Sequence, residues 1–268
     1  MPFFESKDHT RLFYRDYGAG DTVLFVSSWG LSSRMWDYQT TCMVDHGLRC
    51  ITYDRRSHGR SDDPGRGYDY DTLAGDLAAL IDYLDLEHVT LVGHSMGGGE
   101  VVRYLTRYGP QRIKGAVLVC AGLPFLLKTE DNPDGVDAEA LNIQRETLKA
   151  DFTKWMIENE PPYLNTEGPT PLGEWTRWDM LQASLPALIA LNRSIFETDF
   201  REEMRAITIP TLIIHGDNDY SFPIQISGRK SAQLLPNNRF IIYENGPHGL
   251  YLTHVDRLNT DLLSFVKG

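Results

Sequence analysis

A chain of 268 residues with 41% hydrophobic content can bury one sizeable core and still carry a smaller insertion. Acidic residues outnumber basic ones by 37 to 26, and the formal net charge of −11 argues against nucleic acid or an anionic membrane surface as a partner. No stretch approaches the roughly 20 apolar residues of a membrane span, and the opening eight residues are too charged for a signal peptide. Cys42, Cys50 and Cys120 are odd in number and lack CxxC spacing, which predicts buried thiols in a reducing, cytoplasmic setting.

Residues 11–17 alternate in strand fashion and stop at the turn Gly18-Ala19-Gly20-Asp21. Val23 to Val26 reads as a short apolar strand, followed by the polar Ser27-Ser28-Trp29-Gly30. A helix is expected from about Ser33 to His46, then a buried strand from Arg49 to Tyr53 and a polar loop from Asp54 to Asp62. Asp71 to Leu86 is the clearest helix, with Leu73, Leu77, Leu80, Ile81 and Leu84 on one face and Asp71 near its N-terminal end. Val89 to Val92 is a β-branched strand, and after Ser95 the residues Val101, Val102, Leu105 and Tyr108 fall at helical spacing. Ile113 to Cys120 is almost continuously apolar, as a strand covered on both faces must be. Strands alternating with helices predict an α/β fold built on a right-handed, mostly parallel, doubly wound sheet.

The rhythm breaks from about Gly122 to Ala206, where helical segments follow a loop with Pro124, Pro133 and Gly135. The reading is a helical cap over residues 122–206, inserted into a core domain of residues 1–121 and 207–268. Aromatic clusters are more often core than contact, but a pocket beneath a cap needs apolar walls. Phe125, Trp155, Trp178, Leu181 and Leu185 are the candidates, together with Trp29. Strands resume at Thr211–His215 and Arg239–Tyr243 around a helix near Ser227–Leu235, and a helix from Leu250 to Val266 closes the chain.

Gly93-x-Ser95-x-Gly97 lies between a strand and a helix, the setting of a nucleophile elbow, where a sharp turn lifts a serine hydroxyl above the sheet edge. The helix N-terminus aims free N–H groups, starting with that of Met96, at an anion forming beside Ser95. A serine hydroxyl needs a base to take its proton and a carboxylate to orient that base. The late strands supply both on the loops that follow them. In Gly216-Asp217-Asn218-Asp219, Asp217 sits in the turn, where aspartate commonly bonds its own backbone. Asp219, beyond the turn, is the favoured acid. In Gly246-Pro247-His248-Gly249 a rigid turn holds His248, the base. The second oxyanion donor is placed by position at Trp29 N–H, after the strand ending at Val26. His9, His46, His58, His88, His94, His215 and His254 are read as structural or solvated, and no metal site is expected because no histidine pair has ligand spacing with a carboxylate nearby.

The stretch Val92-Gly-His-Ser-Met-Gly-Gly-Gly-Glu-Val-Val-Arg-Tyr104 resembles the elbow of the cofactor-free bacterial haloperoxidase and aryl-esterase family within the α/β-hydrolases. The likeness continues through Leu127–Gly135, Phe196–Phe200, Ile214–Asp219 and Gly246–Gly249, and is weakest between about Leu141 and Leu191. It implies Ser95 as nucleophile, Asp219 as acid, His248 as base, Trp29 and Met96 N–H as oxyanion donors, and no haem, metal or other cofactor. Members hydrolyse small or aromatic esters, some open lactones, and several make peracids from a carboxylic acid and hydrogen peroxide. Relatives commonly read His-Gly-Trp-Pro where this chain has Ser27-Ser28-Trp29-Gly30, a change beside the oxyanion donor that bears on perhydrolysis. The expectation is a serine hydrolase acting on small-molecule esters through an acyl-enzyme, with lactonase and perhydrolase as alternatives. A ligand-binding receptor on the same scaffold is the non-enzyme alternative, and homo-oligomerisation is left open.

Overall fold

The computed structural model describes residues 2–268. The chain opens with β1 (Phe3–Glu5) and β2 (Arg11–Tyr17), then β3 (Thr22–Val26), a 3-10 turn at Ser33–Trp36, α1 (Asp37–Asp45) and β4 (Arg49–Tyr53). α2 (Tyr70–Tyr83), β5 (Val89–His94), α3 (Met96–Arg107) and β6 (Ile113–Val119) complete the first half. Five helices follow: α4 (Ala138–Ala150), α5 (Phe152–Leu164), α6 (Pro171–Met180), α7 (Leu185–Glu197) and α8 (Arg201–Ala206). The chain ends with β7 (Thr211–Gly216), α9 (Gly228–Leu234), β8 (Asn238–Tyr243), α10 (Leu250–Thr253) and α11 (Val255–Lys267).

The eight strands form one sheet in the order β1-β2-β4-β3-β5-β6-β7-β8. β1 and β2 are antiparallel at one edge, and the six strands from β4 to β8 run parallel. Both faces are covered, which is why the strands read as unbroken apolar runs. Leu24, Val26 and Leu91 pack with Leu73, Leu77 and Leu80 of α2 and Val101 and Val102 of α3. Val23, Phe25 and Val92 point the other way, toward Met43 of α1 and Leu258 and Leu262 of α11.

Strand order places the site. From β3 the chain crosses to β4 on one side, then returns past β3 to β5 on the other. The loops leaving β3 and β5 therefore diverge at the carboxyl edge and open a crevice between neighbouring strands. The loops after β7 and β8 leave from the same edge.

Some elements differ from expectation. The edge strand β1 is too short to show a pattern. The helix expected from Ser33 starts as a 3-10 turn, with Ser32 Oγ accepting from Arg34 N–H. The closing helix is interrupted at His254, where φ is −126° and ψ 39°. In the insertion, α4 packs on α5 and α7, and α5 on α6. α8 instead packs on α3 and α9, Phe200 and Met204 are buried in the main core, and Leu123 and Leu126 join them. The helices of Ala138–Glu197 pack on one another, while Leu141 of α4 and Leu191, Ile195 and Phe196 of α7 also join the main core.

Candidate active site

Ser95 occupies the turn between β5 and α3 with φ 57° and ψ −119°, a conformation that L-residues rarely adopt. The turn is held by Ser95 N–H donating to Val119 O at 2.9 Å and by Gly98 N–H donating to Ser95 O at 3.1 Å. Glycine is required on both sides. A Cβ at Gly93 would stand 2.5 Å from Gly97 O, and one at Gly97 would stand 2.5 Å from Val26 O, both of them backbone atoms that cannot step aside. So the elbow helix lies directly on the end of β3.

His248 and Asp219 reach Ser95 from the loops after β8 and β7. Ser95 Oγ is 2.9 Å from His248 Nε2, and His248 Nδ1 is 2.8 Å from Asp219 Oδ2. All three residues are buried. An ionised Asp219 only accepts, so the imidazole proton belongs on Nδ1, and Nε2 presents its lone pair to the serine hydroxyl. Burial alone would raise the Asp219 carboxyl. The His248 and His215 imidazoles, with their hydrogen bonds, outweigh it and hold the carboxyl well below the usual carboxylate range. Asp219 Oδ1 accepts from Phe222 N–H at 2.8 Å, so both oxygens are engaged. Asp217 is otherwise employed, accepting from Asn245 N–H at 2.7 Å.

Two further histidines brace this arrangement. His94, next to the serine in sequence, turns beneath the base and donates from Nε2 to His248 O at 2.9 Å. Burial first, then the neighbouring His248, pushes the His94 imidazole down to about 3, so it stays neutral. His215 Nε2 donates to Phe222 O at 2.9 Å and lies 3.3 Å from Asp219 Oδ2. Tyr163 and Phe222 meet the His248 ring edge-on, with centroids at 5.4 and 5.1 Å. Two triplets that share Cys120, one with His94 and His248 and one with His215 and Asp219, have donor atoms close enough to hold an ion. However, the hydrogen bonds above already occupy Nε2 of His94, both nitrogens of His248 and both oxygens of Asp219. Burial also pushes the Cys120 thiol well up, so this donor set fits a metal poorly.

Met96 N–H, the first of α3, has no helical carbonyl within reach. In the loop after β3, Ser28 N–H donates to Met35 Sδ at 3.1 Å and Gly30 N–H to His58 Nε2 at 3.3 Å. Trp29 N–H, between them, is the group that remains for a ligand. Burial, then Arg55, pushes His58 down to about 3, so it stays a neutral acceptor. Gly30 has φ +77°, which proline cannot adopt.

A cavity of about 170 Å³ opens over Ser95 and His248. Trp29 and Trp155 line it, their rings edge to face at 5.5 Å. The other expected wall residues lie elsewhere. Phe125 is buried beneath the Arg201 guanidinium, and Leu185 sits half-buried at the start of α7 outside the cavity. Trp178 and Leu181 are 66% and 49% exposed on the outer side of the insertion. The reason is helical phase: α6 buries Gly173, Thr176 and Asp179, and Trp178 lies two residues, about 200°, round from Thr176. Asp179 faces inward because it accepts from Ser32 N–H at 2.9 Å and Ser32 Oγ–H at 2.5 Å. In place of the missing residues the wall holds Asn159, Tyr163, Met180 and Asn192, which no sequence pattern marks, and Phe196, which opens one of the stretches that carry the family likeness.

Comparison with known proteins places the chain. A family model described as alpha/beta hydrolase fold matches residues 21–255. The chain is 41% identical over 271 residues to a non-heme chloroperoxidase of Streptomyces lividans, covering 98% of each. It is 36% identical over 280 residues to a bifunctional esterase/perhydrolase of Acinetobacter calcoaceticus, covering all of both. An esterase from Exiguobacterium antarcticum superposes with a TM-score of 0.95 at 29% identity, over 99% of each chain. With a serine elbow on this sheet and relatives of full matching length, the chain belongs to the α/β-hydrolase family, in its branch of cofactor-free haloperoxidases and esterases, and is a carboxylic ester hydrolase.

Proposed function

We propose that the chain hydrolyses small, uncharged esters, with Ser95 as nucleophile, His248 as general base and acid, and Asp219 as the group that orients it. The observation that carries this is the unbroken relay Ser95 Oγ, His248 Nε2, His248 Nδ1, Asp219 Oδ2 at 2.9 and 2.8 Å, opening into a cavity. Ser95 Oγ attacks the ester carbonyl as its proton passes to His248 Nε2. Trp29 and Met96 N–H hold the oxyanion. The carbon–oxygen bond to the alcohol breaks, and the alcohol leaves with the proton from Nε2. Water, giving its proton to Nε2, then attacks the acyl-enzyme, and the acid departs as Ser95 regains its hydrogen.

Size and polarity support the substrate class. The cavity of about 170 Å³ is walled by Trp29, Trp155 and Phe196, which suits a small acyl group or a lactone ring. Its lining holds no Asp, Glu, Lys or Arg. It presents instead a donor and an acceptor fixed by their neighbours. Arg145 Nε donates to Asn192 Oδ1 at 2.8 Å, which leaves the Asn192 amide N–H groups for the cavity. Asn159 donates to Trp155 O at 2.8 Å, which leaves its carbonyl oxygen. Gly30 takes a conformation closed to proline beside the oxyanion donor, so this loop is shaped differently from a Trp-Pro loop, and the peroxide arm of the test reads what that does to perhydrolysis.

The test is p-nitrophenyl acetate turnover by the parent and Ser95→Ala, with a hydrogen peroxide arm and a panel of longer acyl esters and γ-lactones. A burst of phenol equal to the enzyme, its loss in Ser95→Ala and preference for acetate or a small lactone are expected. Equal turnover by Ser95→Ala overturns the assignment.

A further inference from the structure

The loop after β3 and the elbow helix α3 carry the two oxyanion N–H groups, whose spacing depends on how the loop is held against the helix. Beneath both lies a charged network closed off from water. Arg55, 2% exposed, follows β4, and Glu100, fully buried, is the fifth residue of α3. Arg55 Nε donates to Glu100 Oε1 at 2.7 Å, its Nη2 also reaches Glu100, and Tyr53 Oη donates to Glu100 Oε2 at 2.8 Å. Two of the other guanidinium hydrogens go to the loop: Nη2 donates to Ser27 O at 2.6 Å and Nη1 to Ser28 O at 3.0 Å.

Ser28 C=O and Trp29 N–H belong to one planar trans peptide, so they point in opposite directions. A donor that grips the carbonyl on one side fixes the N–H on the other. We infer that Arg55 is a positioning residue for ester hydrolysis, clamping Ser28 O so that Trp29 N–H is aimed at the oxyanion, with Glu100 tying that clamp to the helix that carries Met96 N–H. Guanidinium is suited to this because its fork reaches two successive carbonyls and a carboxylate at once, which an ammonium does not do. The charge is buried with every partner in place, so the pair specifies the arrangement of groups more than it adds stability. The inference rests on the assignment of Ser95 and Trp29 above.

Arg55→Met alone would strand the buried Glu100 charge, so the test uses Arg55→Met/Glu100→Gln, which removes both charges and leaves Tyr53 an acceptor. Arg55→Lys, which keeps a charge against Glu100 but only one short reach to the loop, is made beside it. The readouts are kcat and KM for p-nitrophenyl acetate, Tm, and inhibition by an aryl trifluoromethyl ketone, whose serine adduct places an oxyanion between the two N–H groups. Loss of one whole oxyanion donor lowers kcat about 10²–10³-fold. A donor left in place but freed to swing is expected to lower it roughly 10–100-fold in the double variant and roughly 5–10-fold in Arg55→Lys. KM should stay within threefold, and ketone affinity should fall in parallel with kcat. A merely structural role would lower Tm without weakening the ketone relative to KM. A folded Arg55→Met/Glu100→Gln or Arg55→Lys protein with kcat and ketone affinity within threefold of the parent overturns the inference. Activity persisting in Ser95→Ala would instead overturn the assignment on which it rests.

Discussion

Asp219→Asn separates the orientation of the base from the fold around it. Asp219 Oδ1 accepts from Phe222 N–H at 2.8 Å, so the asparagine carbonyl must take that place and its NH₂ the place of Oδ2, 2.8 Å from His248 Nδ1. An NH₂ only donates, so His248 Nδ1 must become the acceptor and the ring proton moves to Nε2. Nε2 then offers Ser95 Oγ a hydrogen instead of a lone pair, and the base is lost without any atom leaving. In serine proteases the same change lowers kcat about 10⁴-fold through this tautomer, about 5.4 kcal/mol at 1.36 kcal/mol per tenfold. The same geometry predicts a fall of roughly 10³–10⁴ here. Asp219 does not line the cavity, so KM for p-nitrophenyl acetate should stay within threefold. Steady-state kinetics give the magnitude, and ¹⁵N NMR of the His248 ring reads which nitrogen carries the proton. A variant with kcat within tenfold of the parent, or one whose proton stays on Nδ1 while activity is lost, refutes the reasoning.

Trp155→Ala should enlarge the cavity and raise the propionate-to-acetate kcat/KM ratio by about tenfold, the low end of the roughly 10–200-fold that one accommodated methylene is worth. Trp178→Ala, on the outer face, should leave the ratio within twofold. Stability below pH 4 gives a separate check on Asp219. Its folded carboxyl lies below its unfolded value of about 3.9. Its contribution is therefore present above that value and is lost as pH falls through the folded one. The Tm gap between parent and Asp219→Asn should hold steady from pH 7 to about 4 and narrow below it; a gap that widens contradicts the ionised, paired carboxylate.

The sheet and the elbow were legible because each rests on local rules. A short, β-branched apolar run bounded by turns reads as a covered strand, and Gly93 and Gly97 mark where backbone meets backbone. Asp219 was distinguishable from Asp217 because one position serves the turn and the other lies past it. The insertion was not legible in the same way. Its helices bury Glu160 and Asp179 and expose Ile157, Trp178 and Leu181, and in α6 the inward stripe is set by a partner on another element, Ser32, and not by hydrophobicity. The loop from Asp54 reads as polar in sequence, yet Asp54, Arg55 and Arg56 are all buried. Their charges are met by Glu100, Asp76 and backbone groups across 20 to 45 residues of chain, a pairing that no spacing reveals.

The same elbow that exposes the hydroxyl stores strain, and that strain is measurable. Ser95, at φ 57° and ψ −119°, sits where a side chain costs about 1–3 kcal/mol and glycine costs almost nothing. Ser95→Ala and Ser95→Gly both remove the hydroxyl and its 2.9 Å bond to His248, so catalysis is lost equally and the difference between them reports the backbone alone. Against the relief stands the looser unfolded chain of the glycine variant, about 0.4–1 kcal/mol. The balance favours Ser95→Gly over Ser95→Ala by roughly 1 kcal/mol, or about 2–4 °C in Tm for a domain of this size. Calorimetry of the two inactive proteins makes the comparison. If Ser95→Gly melts below Ser95→Ala, the turn is not strained, and the tight approach of α3 to β3 would have to be explained without it.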